Sequence, residues 1–81
     1  MKFIITFGSD HLQDFDISAI KTALIVDGDD ENQARSKVFK YHGIGEKFCT
    51  SYPYSMKKDI IDKYNMIELS LGELESYRIQ A

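Results

Sequence analysis

The chain has 81 residues, of which 43% are hydrophobic and 12% aromatic, and its formal net charge is −3. This length supports one hydrophobic core and excludes a second domain, while the apolar content excludes an intrinsically disordered chain. Ten basic residues against thirteen acidic ones exclude both a strongly basic nucleic-acid binder and a heavily acidic mimic of DNA.

Two strands are predicted in the first third of the chain. KFIITF, residues 2 to 7, is apolar on both faces, as a central strand is, and Gly8 ends it. The pattern from Ser9 to Ile20 is irregular, which predicts a long connection with room for a turn of helix. KTALIVD, residues 21 to 27, is rich in aliphatic and β-branched side chains and predicts the second strand.

The main helix is predicted to follow, from about residue 30 to about residue 42. Asp29 or Asp30 can accept hydrogen bonds from the free N–H groups at its start, and Gly43 can take the left-handed conformation that ends a helix. Its buried side is predicted from apolar residues at helical spacing, which are Ala34, Val38, Phe39 and Tyr41.

A third strand is predicted over residues 47 to 52, ending at Pro53, which lacks the N–H that a ladder needs. Ser55 is then expected to cap a short second helix that ends at Asn65. The apolar side of that helix is predicted from Met56, Ile60, Ile61 and Tyr64.

The last strand is predicted over MIELSL, residues 66 to 71, from its alternating pattern. The remaining residues, 72 to 81, form a tail that either packs through Leu74, Tyr77 and Ile79 or frays.

This order of elements predicts an α+β fold in a single small domain spanning residues 1 to 81. The expected architecture is β-β-α-β-α-β, a four-stranded mixed sheet with one main helix packed on one face and a short second helix. The link from the second strand through the main helix to the third is long enough for a right-handed crossover. We therefore expect those two strands to be parallel neighbours.

Cysteine usage and the N-terminal residues predict where the protein resides. The single cysteine, Cys49, cannot form an internal disulfide. The apolar stretch after Lys2 is too short for the apolar region of a signal peptide, and no run approaches the length of a transmembrane helix. We expect a cytoplasmic protein without a membrane span.

Three segments carry a resemblance to a class of proteins. They are the opening KFIITFG, the acidic-capped helix DDENQARSKVF and the aromatic strand KFCTSYPY. Through these three segments the chain resembles small, largely uncharacterised phage and prophage proteins of anti-defence type. The resemblance implies a protein that binds host or anti-phage defence proteins, as anti-CRISPR proteins do, and it transfers no catalytic residue.

Candidate catalytic residues are few. Ser9, Asp10 and His11 are adjacent, whereas a hydrolase triad is assembled from separated segments, so a polar turn is favoured. Cys49 could form a thiolate pair with His42 or His11, but a small core thiol is the favoured interpretation. We expect that the protein has no catalytic residue and is not an enzyme.

The acidic run DGDDEN invites a calcium-site interpretation. An EF-hand loop needs glycine at its sixth position and glutamate at its twelfth, and counting from Asp27 places Asn32 and Val38 there. One cysteine and two histidines also fall short of a zinc site. A turn with a helix cap is favoured, and we expect no metal and no cofactor.

A nucleic-acid interface is the alternative function. Lysines interleaved with aromatic residues are typical of proteins that bind single strands, but acidic residues among them favour a solvated surface. The residues concerned are Lys37, Lys40, Lys47, Lys57, Lys58 and Lys63 with Tyr41, Phe48, Tyr52 and Tyr54.

The segment SYPYS is the favoured binding feature, because two tyrosines flank a rigid proline where the chain turns. The acidic connection around residue 15 could add charges that raise an association rate. The candidate protein-binding residues are Tyr52, Tyr54, Phe15, Asp14 and Asp16. We therefore expect a small non-catalytic protein-binding module, a phage-encoded inhibitor of a host or defence protein, with a minor nucleic-acid-associated factor as the alternative.

Overall fold

The computed structural model describes residues 1–8, 15–41 and 49–79, and the side chain of Cys49 lies outside that description. Two strands come first, and from the second of them onward strands and helices alternate along the described chain. They are β1 (Lys2–Phe7), β2 (Thr22–Asp27), α1 (Glu31–Phe39), β3 (Cys49–Pro53), a π-helix (Lys58–Asp62), β4 (Ile67–Leu69) and α2 (Leu71–Glu75), with 3-10 turns at Ala19–Lys21 and Tyr54–Met56.

The four strands form one mixed sheet in the order β3-β1-β2-β4. β1 is antiparallel to both β2 and β3, and Ile4 lies opposite Ile25 on one side and Tyr52 on the other. β4 is parallel to β2, with Leu69 opposite Leu24. The α+β class, the four-stranded mixed sheet and the presence of a main and a short second helix are confirmed.

One expectation about the sheet is wrong. β2 and β3 run in the same direction but are not neighbours, because β1 lies between them, and the parallel neighbours are β2 and β4. The apolar character of β1 on both of its faces explains its central place. A strand in that position has partners on both edges and is covered from both sides.

The sheet face covered by α1 and α2, here called the α-face, holds the larger hydrophobic cluster. Ala34 and Val38, four residues apart on α1, are fully buried, as the sequence predicts. Phe39 and Tyr41 pack against them as partly buried side chains. The buried members of the cluster are Phe3, Ile5, Phe7, Phe15, Ala19, Leu24, Val26, Ala34, Val38, Leu69 and Leu74.

The opposite face of the sheet, here called the π-face, is covered by the helical segment that contains the π-helix. Ile61 contacts the sheet there in a cluster with Ile4 and Ala23, and all three side chains are buried. Partly buried hydrophobic residues surround them, namely Ile25, Tyr52, Tyr54, Ile60 and Met66. The sheet is thus covered on both faces, and the buried cluster on the π-face is the smaller of the two.

The start of α1 agrees with the sequence and its end does not. The Asp30 carboxylate accepts a 2.8 Å hydrogen bond from the Gln33 N–H, and the Gln33 amide oxygen accepts one of 2.6 Å from the Asp29 N–H. The helix ends at Phe39, earlier than residue 42, where the Tyr41 N–H bonds to the Val38 carbonyl. Gly43 lies outside the described residues.

Asp30→Ala is expected to lower the free energy of unfolding by about 1 kcal/mol, because it removes the side-chain acceptor of the cap. Asp29→Ala is the matched control: the hydrogen bond described at Asp29 uses its backbone N–H, which alanine keeps. It should cost only the weaker dipole interaction, about 0.3 kcal/mol. Urea unfolding followed by circular dichroism measures both. Equal losses would contradict a specific role of the Asp30 side chain.

The second helical segment begins differently from the prediction. Ser55 does not cap it, because Ser55 lies inside the 3-10 turn Tyr54–Met56, and the cap position of the π-helix is Lys57, with no side-chain bond. Pro53 closes β3 as its last residue. Asn65 ends the segment as expected, with a left-handed φ of 52° that asparagine tolerates.

The predicted last strand is shorter than expected, because its final residues belong to a helix. Ser70 and Glu73 form a reciprocal capping box, with hydrogen bonds of 3.1 and 3.0 Å, and so begin α2. Leu71 is therefore helical, and Leu74 is fully buried on the α-face. Of the two alternatives for the tail, packing through Leu74 is confirmed.

The end of the described chain is tied to the connection that follows β1. Phe15 pairs with Arg78 in an isolated antiparallel bridge, and the Asp16 N–H donates a 2.6 Å hydrogen bond to the Tyr77 carbonyl. Tyr77 and Ile79 themselves remain exposed. Residues 80 and 81 lie outside the described residues.

Candidate binding surface

The residues predicted to form one binding surface lie on different sides of the sheet. Tyr52 and Tyr54 are half-buried on the π-face, whereas Phe15 is only 4% exposed and belongs to the cluster of the α-face. Asp16 is exposed beside Phe15, and Asp14 lies outside the described residues. The structure does not bring the two segments together, because the sheet lies between Phe15 and the two tyrosines.

Phe15 is buried because the C-terminal segment covers it. The Arg78 guanidinium lies 4.6 Å from the centroid of the Phe15 ring, and the Tyr41 ring stacks on Phe15 at 6.4 Å between centroids. Flanking carboxylates at sequence positions 14 and 16 favoured an exposed loop. Burial of the aromatic ring is the stronger effect, because it removes a large apolar surface from water. Phe15 is a core residue.

Tyr54 is held by an ionic cluster on the π-face. Its hydroxyl donates a 2.8 Å hydrogen bond to Glu68, and the Lys57 ammonium lies 3.4 Å from the other Glu68 oxygen. The ammonium groups of Lys2 and Lys57 lie 5.7 and 5.9 Å from the ring centroid. The negative charge of Glu68 is the main reason that the pKa of Lys57 is raised. These partners fix the Tyr54 ring on the π-face.

A second polar cluster joins α2 to the residues after α1. The Tyr41 hydroxyl hydrogen-bonds the Glu75 carboxylate and lies 3.2 Å from the Leu71 carbonyl. Arg78 binds the same carboxylate through two nitrogens, at 2.5 and 3.0 Å. The hydrogen bond to Glu75, then burial, raises the pKa of Tyr41 above its ordinary value of 10.0.

This raised pKa predicts a loss of stability in alkali. The neutral hydroxyl is favoured in the folded chain, so its contribution is complete below the unfolded pKa, about 10, and is lost as the pH rises through the raised value. Tyr41→Phe should therefore reduce the decline in unfolding free energy between about pH 9 and about pH 11. Urea unfolding at both pH values measures it. An equal decline in parent and variant would contradict this role of Tyr41.

The π-face also carries an open groove with a volume of about 380 Å³. It lies where β1 ends and β2 begins, beneath the helical segment that crosses the face. Two of the most exposed large apolar side chains of the described residues line it: Ile20 is 57% and Tyr64 is 64% exposed. Its lining residues are Thr6, Phe7, Ile20, Lys21, Tyr52, Ile60, Tyr64 and Met66.

Local structure explains why this groove is open. Ile61 is buried against the sheet, and its neighbour Ile60 turns to the wall of the groove. A π-helical turn holds more residues than an α-helical one. Tyr64, which follows the π-helix, is therefore rotated away from the sheet. The left-handed Asn65 then reverses the chain into Met66, which forms another wall.

The groove is apolar with positive charge at its edge. Among the described lining residues, Lys21 is the only one with a formal charge. The Lys63 ammonium lies 5.5 Å from the centroid of the Tyr64 ring. Tyr52, Tyr64 and Thr6 contribute hydroxyl groups to a lining whose other uncharged residues are apolar.

Of the sequence-predicted residues, only Tyr52 lines the groove, and the sequence did not single out Ile20 or Tyr64. Tyr64 was assigned to the buried side of a regular helix, and the π-helical turn makes that assignment wrong. Ile20 was hidden in a connection without periodicity. A large apolar residue directly before a strand was the signal available for Ile20.

The described residues contain no group of three or more histidine, cysteine, aspartate or glutamate side chains that could hold a metal ion. Ser9, Asp10, His11 and His42 lie outside the described residues. In the ranges 1–8, 15–41 and 49–79, no helix has the length and hydropathy needed to cross a membrane.

Neither the protein-family models nor the curated proteins nor the solved structures compared with this chain gave a match. The groove on the π-face has more apolar walls than two other depressions of the described residues, and it is the candidate binding surface.

Proposed function

We propose that this chain is a small protein-binding module without catalytic activity, and that it binds its partner through the groove on the π-face. The observation that carries the proposal is the exposure of Ile20 and Tyr64 at the rim of an apolar depression. Exposed apolar side chains that cluster around a concavity mark interaction sites, whereas single ones are ordinary.

The composition of the groove supports this use. Tyrosine combines a large contact area with few rotatable bonds and a hydroxyl group, and it is enriched among the residues that dominate binding energy. Tyr52 and Tyr64 are both present, and Tyr52 is held on β3 opposite Ile4 of the central strand. A π-helical turn beside the groove is a further feature found often at functional sites.

The partner class proposed is a host or anti-phage defence protein met in the cytoplasm. Its support is the resemblance of KFIITFG, DDENQARSKVF and KFCTSYPY to small phage and prophage proteins of anti-defence type. Such a module would act as an inhibitor by occupying a surface of its target, which requires contact area and no reacting group.

Affinity capture from a bacterial lysate identifies the partner, and matched variants then test the groove. Tyr64→Ala is expected to weaken binding by about 30-fold or more, as truncation of a binding anchor does. Ile20→Ala should weaken it less. Tyr77→Ala and Ile79→Ala are the controls, because both side chains are exposed outside the groove and should leave the affinity within about twofold.

Calorimetric titration measures the affinities, and circular dichroism establishes that each variant is folded. If Tyr64→Ala and Ile20→Ala fold and bind like the parent, the groove is not the binding surface. An equal loss of affinity for the partner in the groove variants and in the Tyr77 and Ile79 controls would also contradict the proposal.

A further inference from the structure

We infer that the groove on the π-face receives an acidic segment of a partner protein that inserts a bulky apolar side chain between Tyr64 and Ile20. This inference rests on the proposed function and adds the chemistry of the segment that is bound. The volume, the walls and the charge of the groove each contribute to it.

The volume limits what can enter. At about 380 Å³ the groove lies at the low end of the range of roughly 300 to 1,000 Å³ for ligand sites. It is open to solvent, and two of its lining residues, Ile20 and Tyr64, are more than half exposed. A space of this size takes one or two side chains of a chain that passes over it, and does not take a whole helix.

The walls select an apolar side chain. The lining residues Thr6, Ile60 and Met66 carry no charge. Phe7 also borders the groove, at the end of β1, but its side chain packs in the cluster of the α-face. A phenylalanine or leucine placed here removes its own apolar surface and that of Ile20 from water, which is the main source of binding energy in such a site.

The charge selects the flanking residues. Lys21 lines the groove, and the Lys63 ammonium lies 5.5 Å from the centroid of the Tyr64 ring, which also lines it. The chain as a whole has a net charge of −3, which makes this positive edge a local contrast. Aspartate or glutamate on either side of the inserted residue would complement it and raise the association rate.

Single-stranded nucleic acid combines negative charge with flat rings and is the competing occupant. Proteins that bind it use a groove that tracks the backbone with several cations and successive stacking rings. Here one lysine lines a single short depression, and the Tyr54 ring nearby is held by Lys2 and Lys57. The observations therefore favour a protein segment.

The test uses the full chain labelled with ¹⁵N and five-residue peptides with blocked ends. One peptide has a central phenylalanine flanked by aspartate and glutamate, a second has asparagine and glutamine as flanks, and a third has lysine. A fourth is the acidic peptide with alanine at its centre. The backbone amide shifts of Ile20, Lys21, Tyr64 and Met66 report binding in the groove.

We expect the acidic phenylalanine peptide to shift these amides and to bind about five- to tenfold more tightly than the neutral one at low ionic strength. The preference should shrink with added salt. The alanine peptide should not bind detectably. Lys21→Glu should abolish the preference for the acidic peptide, whereas Lys37→Glu, the same charge change on α1, should keep it.

The outcomes separate this inference from the proposed function. If the neutral and basic phenylalanine peptides bind the groove as well as the acidic one, the acidic preference is overturned and the groove remains a binding surface. If no peptide shifts the groove amides, both are overturned. A single-stranded oligothymidylate that shifts the same amides more strongly than the acidic peptide overturns the choice of a protein segment.

Discussion

Gly28→Ala is expected to lower the free energy of unfolding by about 2 to 3 kcal/mol. A Cβ atom at this position would lie 2.8 Å from the backbone nitrogen of Ala34 and 3.1 Å from the Asp30 carbonyl oxygen. Both contacts are to backbone, so they can be relieved only by moving the first turn of α1 away from β2. That movement would also disturb the burial of Ala34 on the α-face.

Gly72→Ala is the matched control for this prediction. A Cβ atom there would meet only the Ser70 hydroxyl oxygen, at 3.9 Å, which is ordinary contact. Because Gly72 lies in α2 and alanine is the better helix former, the control should be as stable as the parent or up to about 1 kcal/mol more stable. Urea unfolding measures both variants. A Gly28→Ala protein as stable as the parent would show that α1 does not pack this closely on the end of β2.

Leu74→Ala is expected to cost about 2 to 5 kcal/mol, because the side chain is fully buried and its removal leaves a cavity on the α-face. A chain of 81 residues has a total stability of about 4 to 12 kcal/mol at ordinary values per residue. The variant should therefore be partly unfolded at moderate temperature, with a clear drop in its melting temperature.

Ile79→Ala serves as the control for Leu74, since Ile79 is 56% exposed near the same end of the chain. It should change the unfolding free energy by no more than about 0.5 kcal/mol. Thermal unfolding by circular dichroism compares the two. If both variants melt with the parent, α2 is not part of the cooperative fold.

Local patterns in the sequence were sufficient for the elements whose reasons are local. A short run that is apolar on both faces and ends at Gly8 identified β1 with its observed bounds, and β-branched content identified β2. The cap at Asp30 placed the start of α1. The alternating pattern of residues 66 to 71 predicted a strand through Leu71, and α2, which begins at the box formed by Ser70 and Glu73, was missed for that reason.

What the sequence could not supply was the arrangement between segments. Periodicity carries no information on which strands are neighbours, so the place of β1 between β2 and β3 was not predicted. Burial of Phe15 depends on Arg78, more than sixty residues further along the chain. The exposure of Tyr64 depends on a π-helical turn, for which helical spacing has no signature.

The bridge between Phe15 and Arg78 determines when folding can finish during synthesis of the chain. The partner β3 and the cover over Phe15 follow β1 only after residues 49 and 78 have been translated. Until then a strand with buried side chains on both faces has an unpaired edge, which is the condition that favours association between nascent chains. Folding of this small domain is thus completed only after Arg78 has been translated.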